Sequence, residues 1–249
     1  MRAAVLVVIT VLLLAGALAY RAPASLVAPR VGELTHERVT IVDTDGTLWK
    51  GRASVSVGDE RLPLAWRVHP ASLLRGEIAL TLAPTDASAA TPRGEISSSR
   101  RGTEIRNFAI EIPAQLLVSA AIPRPRLDAR GMIEISTNTL SWPFAPGGGA
   151  VDATWRSASV GLAGSEERVA LGDVTAKLAA SNGQLIGPLA NRGGDFAIGG
   201  EMRVRADGSG GVDGVIRTRR ADDPRRSALL ALGTPEGDGV RVRWQWPAP

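Results

Sequence analysis

Short segments in which apolar and polar residues alternate follow one another along the chain from residue 37 onward. The clearest is the last, where Val240, Val242, Trp244 and Trp246 alternate with Arg241, Arg243 and Gln245. Successive side chains of a strand point to opposite faces, so this alternation predicts strands with one apolar and one polar face. We predict strands at residues 39–42, 47–57, 62–68, 76–82, 104–112, 132–136, 150–162, 174–178, 196–204, 211–217 and 240–246.

Turn-forming residues separate these segments. Asp43-Thr44-Asp45-Gly46 lies between the first two predicted strands, and its Asp-Gly step is typical of a β-hairpin. Residues 146–149 and 181–183 are similar clusters of Pro, Gly, Ser and Asn. Many short strands with frequent turns predict an all-β body, either a curved, mostly antiparallel sheet or an open sandwich.

Three segments depart from the alternation. Residues 113–121 are predicted to form a short helix. Residues 225–232 are predicted to form a second one, capped by Asp223 and closed by Gly233. Residues 86–102 are rich in Ser, Ala and Arg, and we predict a mobile loop there.

An uncharged apolar run from Ala3 to Ala19 precedes all of these elements. As a helix it covers roughly 25 Å, at the short end of what a hydrocarbon core of about 30 Å requires. It fits an uncleaved transmembrane anchor or a cleaved signal peptide, since Ala17-Leu18-Ala19 resembles a cleavage site. Both interpretations export the body. We predict an anchor over residues 1–21, a spacer over 22–36 and a periplasmic β domain over 37–249.

Composition excludes several classes of function. The chain has no cysteine, which rules out disulfides, thiolate metal sites and cysteine nucleophiles. The net charge is only +4, and 27 of the 29 basic residues are arginines interspersed with 25 acids. The basic clusters are not interleaved with aromatic residues that could stack on bases, so we expect no nucleic-acid partner.

Candidate catalytic chemistry is sparse. The two histidines, His36 and His69, have no neighbouring ligands at the spacing of a metal site, and no G-x-S-x-G segment occurs. Gly147–Gly149 is not followed by Lys-Ser/Thr, so it is no phosphate-binding loop. We therefore predict no enzyme and no catalytic, cofactor-binding or metal-ligating residue. The six tryptophans fit either sheet packing or an apolar surface for a partner or an acyl chain.

Several segments, taken in order, resemble the protein N family of the type II secretion system. A G-T-L-W-x-G-x-A motif contains Gly46, Thr47, Leu48, Trp49 and Gly51. It is followed by a W-x-x-x-P-x-x-L-x-x-G run containing Trp66, Pro70, Leu73 and Gly76. Later segments of the resemblance contain Trp142, Trp155, Gly193, Gly194, Gly233 and Gly239.

This resemblance implies a single-pass bacterial inner-membrane protein with a periplasmic β domain. It would be an accessory, non-enzymatic part of the secretion machinery, in contact with inner-membrane platform subunits and the outer-membrane secretin. Within the first motif we expect Gly46 and Gly51 to permit tight geometry and Trp49 to pack on the sheet. The alternative function is a membrane-anchored periplasmic protein that handles lipid in a β groove.

Overall fold

The computed structural model is built around one large antiparallel sheet. It describes residues 21–26, 40–57, 60–84, 92–121, 127–162, 168–220 and 233–246. In this part of the chain the sheet has 14 strands, which lie in chain order except that β14 stands between β12 and β13. The strands are β1 Thr40–Gly46, β2 Lys50–Val57, β3 Glu60–Val68, β4 Ile78–Ala83, β5 Arg93–Ser99, β6 Gly102–Pro113, β7 Leu127–Trp142, β8 Ala150–Leu162, β9 Arg168–Ser181, β10 Gln184–Arg192, β11 Phe196–Arg205, β12 Gly210–Thr218, β13 Thr234–Glu236 and β14 Gly239–Trp246.

The all-β prediction is confirmed, and each predicted strand overlaps an observed one. The prediction of a loop over residues 86–102 is wrong for its second part, because Arg93–Ser99 forms β5 between β4 and β6. This strand is mostly polar, with Ile96 as its single large apolar residue, and backbone pairing with two neighbours stabilises it. Residues 86–91 lie outside the described residues.

Strand β10 was also missed, because Gly187 and Pro188 look like strand breakers. The chain comes very close to β9 here: a Cβ on Gly187 would lie 1.9 Å from the Lys177 carbonyl oxygen. Glycine is therefore required by the tight pairing of an interior strand.

The first hairpin exists, but its turn lies later than predicted. β1 continues through Gly46, and its pairing with β2 shifts register between Val42 and Asp45. Asp43 has a φ of 52°. The Asp43–Asp45 segment is thus a bulge, and the turn itself comprises residues 47–49.

Helices are few and short in the described residues. The predicted helix at 113–121 is confirmed as Ala114–Ala121, here called α2. A four-residue helix, α1 (Pro70–Leu73), and a 3₁₀ helix (Ala24–Leu26) were not predicted. The predicted helix at 225–232 lies outside the described residues.

No helix in the described segments has the length and apolar character to cross a bilayer. Residues 1–20 of the predicted anchor are not among them. The proposed boundaries of anchor, spacer and β domain therefore stay predictions.

The sheet curves around α2. This helix packs on its sequence neighbours β6 and β7, and it also contacts β2. In a flat sheet β2 would lie about 19 Å from β6, four strand spacings of roughly 4.8 Å. One short helix can contact both strands only if the sheet bends toward it.

The core lies on the apolar face and is concentrated in the later strands. One cluster contains Leu140, Phe144, Val151, Leu178 and Leu185, and a smaller one contains Phe196 and Val240. An unbroken row of apolar residues and glycines also crosses the sheet on this face. It comprises Trp49, Val68, Leu80, Ile96, Ile105, Leu140, Gly149, Ala180, Leu185, Val204, Gly210 and Trp246.

Candidate functional site

The residues singled out in the first motif form one compact hairpin. The Thr47 backbone N–H donates to the Lys50 carbonyl at 2.9 Å, and the Lys50 N–H donates to Thr47 Oγ1 at 3.2 Å. Gly46 has a φ of 92°, and a Cβ there would lie 2.5 Å from the Lys50 carbonyl oxygen. The turn therefore needs glycine at position 46 and a hydroxyl at position 47.

Trp66 closes this hairpin from the neighbouring strand. Its indole Nε1 donates to the Leu48 carbonyl at 3.0 Å. Its ring occupies the space of the missing Gly51 side chain, where a Cβ would lie 2.5 Å from Trp66 Cζ2. Glycine at 51 and tryptophan at 66 are thus two halves of one packing arrangement, which joins the first motif to the run that follows it.

Trp49 lies in the turn between β1 and β2. It is half-buried, and its carbonyl accepts from the Val68 N–H at 2.7 Å. It therefore ties the turn to the end of β3 and begins the apolar row.

The chain segment that leads into the body docks on the same hairpin. The Leu48 N–H donates to the Ala22 carbonyl at 2.8 Å, and Pro23 pairs with Thr47 as an isolated bridge. Ala24 is only 1% exposed. Residues 22–26 are consequently packed against the sheet at the turn between β1 and β2.

The second motif run forms the connection between β3 and β4. Pro70 begins α1. Ser72, which is buried, donates from Oγ to the His69 carbonyl at 2.7 Å and accepts from the Ala79 N–H at 3.0 Å. These bonds fold the connection tightly and leave Leu73, Leu74 and Ile78 exposed.

The later motif residues lie elsewhere in the sheet and do not converge with the hairpin. Trp142 ends β7 and contacts Phe144 edge to face, with ring centroids 4.8 Å apart. Trp155 on β8 donates from Nε1 to the Arg130 carbonyl at 2.9 Å. Gly193 and Gly194 lie in the turn from β10 to β11, Gly233 precedes β13, and Gly239 begins β14. These residues hold separate turns and strand ends.

Asn191 is a structural residue that sequence reasoning did not single out. Its Nδ2 donates to the Leu171 carbonyl at 2.6 Å and to the Phe196 carbonyl at 2.8 Å, while Oδ1 accepts from the Ile198 N–H at 2.7 Å. It joins β9, β10 and β11 at the Gly193–Gly194 turn. The sequence signal that could have identified it is a polar residue two positions before the turn glycines Gly193 and Gly194.

The polar face carries paired charges. On it Asp213 accepts hydrogen bonds from Arg241 Nε at 2.8 Å and from Arg243 Nε at 3.0 Å. The Arg241 guanidinium is the main reason that the pKa of Asp213 lies below its ordinary value. Asp45 has a lowered pKa for the same reason, a hydrogen bond from Arg52. Such pairs are fully engaged with each other and offer no group poised for proton transfer.

Two shallow cavities on this face bracket the sheet. One of about 370 Å³ lies over β11, β12 and β14 and is lined by Arg203, Asp213 and Arg243, among others. Another of about 650 Å³ lies beside the hairpin and is lined by Lys50, Trp66, Arg67 and His69, among others. His69 Nε2 is 2.8 Å from Thr81 Oγ1. Within the described segments, no three His, Asp or Glu side chains are grouped as metal ligands.

Fold and site together define an all-β protein whose described features are sheet edges, packed turns and exposed apolar side chains. The comparison with family models gives the more particular result. The model of the type II secretion system protein N matches residues 37–243. The chain belongs to this family, and the resemblance noted in its motifs is confirmed. Neither a curated protein nor a solved structure matches the chain.

The family fixes the broad role. Its members are accessory components of type II secretion and not a known enzyme family, and membership implies interaction with other components of that system.

Proposed function

We propose that this protein is a bitopic accessory component of the type II secretion machinery. Residues 1–21 anchor it in the inner membrane, and the sheet lies in the periplasm, where it contacts inner-membrane platform subunits and the outer-membrane secretin. The family match over residues 37–243 carries this proposal. The apolar run at Ala3–Ala19 supports the anchored topology.

The two edges of the sheet supply a mode of contact. Among the described strands, β1 and β13 terminate the sheet. β13 covers only Gly239–Arg241 of β14. A terminal strand has backbone N–H and C=O groups on one side that can pair with a strand of another protein. Partner strands added at either edge would extend the sheet through backbone hydrogen bonds, without requiring particular side chains.

Site-specific photo-crosslinking in cells that express the secretion system tests this proposal. A photoreactive residue at Gln245 on β14 or at Ile41 on β1 reports on one of the two edges of the sheet. The matched control is Thr175, which is exposed on the interior strand β9. We expect platform subunits or the secretin to be crosslinked from at least one edge position and only weakly from Thr175.

Absence of secretion components from the crosslinked products at all three positions would contradict the proposed function. Equal crosslinking of secretion components from Thr175 and from the edge positions would support the role in secretion and refute strand addition. In both cases a C-terminal tag on the full chain identifies the products.

One observation favours the alternative role in lipid handling. The apolar row crosses the sheet from Trp49 to Trp246, and its members in the early strands, such as Leu80 and Ile96, are only half-buried. A continuous, partly open apolar face can accept an acyl chain. Mass spectrometry of the full chain, purified in detergent, supports this role if phospholipid remains bound at a fixed ratio. Lipid-free protein argues against it.

A further inference from the structure

Exposed apolar side chains gather at one end of the sheet. We call this the Trp49 end, because the β1–β2 turn that contains Trp49 lies there. Five large apolar residues of the described chain are exposed: Leu73, Leu74, Ile78, Trp142 and Trp244. Leu73 and Leu74 lie in the β3–β4 connection, Ile78 begins β4, Trp142 ends β7, and Trp244 is two residues from the end of β14. All five therefore lie at or near the Trp49 end.

Leu74 is the most exposed of them, at 91%, and Ile78 follows at 56%. Exposure of this degree is not incidental to a loose loop, because the β3–β4 connection is fixed by the hydrogen bonds of buried Ser72. The fold holds a leucine in solvent on a rigid turn. Clustered exposed apolar residues of this kind mark a contact surface.

The same end of the sheet receives the chain from the predicted anchor. Residues 22–26 dock on the β1–β2 turn through the Ala22–Leu48 hydrogen bond and the Pro23–Thr47 bridge. The β3–β4 connection is adjacent, since Val68 bonds to Trp49. Strand spacing is about 4.8 Å, so Leu74 lies within a few strand widths of the point where the chain leaves toward residue 20.

Cationic side chains lie beside the apolar ones. Arg100 and Arg101 form the exposed β5–β6 turn between the β3–β4 connection and Trp142. Arg75 is 67% exposed, and its Nε is 3.8 Å from Glu77. Glu95, Glu104 and Arg106 line the same surface as Arg75 and Glu77. With Arg100 and Arg101, four arginines stand against three glutamates, so the region keeps a net charge of +1. Exposed apolar side chains beside arginines, with a tryptophan at the margin, match the chemistry of an anionic bilayer surface.

We propose that the Leu74 patch, comprising Leu73, Leu74, Ile78, Trp142, Arg75, Arg100 and Arg101, lies on the surface of the bilayer that holds the N-terminal run. Leu73 and Leu74 enter the headgroup region, and the three arginines face lipid phosphates. The proposal rests on the proposed function only in taking residues 1–21 as the anchor. It orients the domain with the Trp49 end toward the inner membrane and the opposite strand ends toward the periplasm.

Fluorescence quenching of the full chain in nanodiscs that contain phosphatidylglycerol tests the orientation. The chain has no cysteine, so Leu74→Cys and Ala83→Cys each carry one thiol for an environment-sensitive label. Ala83 is the matched control, because it is exposed at the opposite end of β4, the strand that begins at Ile78. We expect doxyl-labelled lipids to quench the Leu74 label at least about twofold more than the Ala83 label, since interfacial segments bury by about 5–10 Å.

Equal iodide quenching of the two labels would overturn the proposal. A Leu74 label shielded from both iodide and doxyl lipid would also overturn it, because a protein would then cover the patch. A chain that fails to insert into nanodiscs would do the same. The crosslinking experiment at the sheet edges is independent of this result. If the Leu74 label is quenched by lipid but no secretion component is crosslinked, the proposed orientation stands and the proposed function is refuted. If secretion components are crosslinked but the Leu74 label is not quenched by lipid, the proposed function stands and the orientation is refuted.

Discussion

The first half of the sheet, β1–β6, and the second half, β7–β14, are stabilised in different ways. In the second half, large side chains such as Leu140, Leu178 and Phe196 are buried in clusters. In the described part of the first half, Ile112 at the end of β6 is the single large apolar residue that is buried. In β1–β6, specific hydrogen bonds and the Trp66–Gly51 contact supply stability that large buried side chains supply in the second half. With few large side chains buried there, the stability of this half depends more on the hairpin and its hydrogen bonds.

Truncation of the second-half core is expected to have the largest effect on stability. Leu178 is 4% exposed within the main cluster. Leu178→Ala should lower the free energy of unfolding by about 2–5 kcal/mol, from lost burial and the cavity left behind. Chemical denaturation of the full chain in detergent measures this value. Leu74→Ala is the control and should change it by less than about 0.5 kcal/mol. Similar losses for both variants would show that the second half has no dominant core.

The first half should respond to the loss of a single donor. Trp66→Phe keeps an aromatic ring in the strand but removes the indole N–H that bonds to Leu48 and the Cζ2 atom that packs at Gly51. We expect a loss of at least about 0.5–1.5 kcal/mol, the net value of one hydrogen bond. Trp244→Phe is the matched change at an exposed position. If the Trp66 variant were as stable as the Trp244 variant, the hairpin would not depend on this bond.

The boundary between the halves contains a site for stabilisation. Thr137 on β7 is 7% exposed, and its Oγ1 is a buried side-chain atom for which the described residues offer no hydrogen-bond partner. Thr137→Val should raise the free energy of unfolding by about 1 kcal/mol, because it removes an unpaired hydroxyl at constant shape. Thr139→Val, at an exposed position of the same strand, should not. A destabilised Thr137 variant would mean that the hydroxyl is satisfied in solution.

Surface charge in the second half should matter least. The pKa of Asp213 is lowered chiefly by its hydrogen bond from Arg241. A carboxylate with a depressed folded pKa stabilises the fold above its unfolded pKa and loses that effect as pH falls through the folded value. The small stability difference between wild type and Asp213→Asn should be constant near neutral pH and shrink below about pH 4. Denaturation curves across this range measure it, and a difference that grows in acid would contradict the assignment.

Local patterns predicted the class of fold but not every strand. Alternation is visible wherever one face is apolar, as in β8 and β14, and there the predicted bounds nearly match those observed. β5 and β10 lack that signal: one is polar, and the other contains Gly187 and Pro188. Their strand structure comes from neighbours on both sides. The Asp43–Gly46 segment shows the same limit, because pairing with β2 converted a turn sequence into a bulge.

The sequence alone determined the alternating strands, the helix at 113–121 and the ordered motifs by which the chain resembles its family. These follow from side-chain period, turn propensity and short spacings, which are local properties. Tertiary structure decided that Trp66 closes the hairpin, that the sheet bends around α2, and that the exposed apolar residues share one end. Each of these depends on which strand ends meet across the sheet. That is set by pairing and register among residues far apart in the chain, and no local pattern contains it.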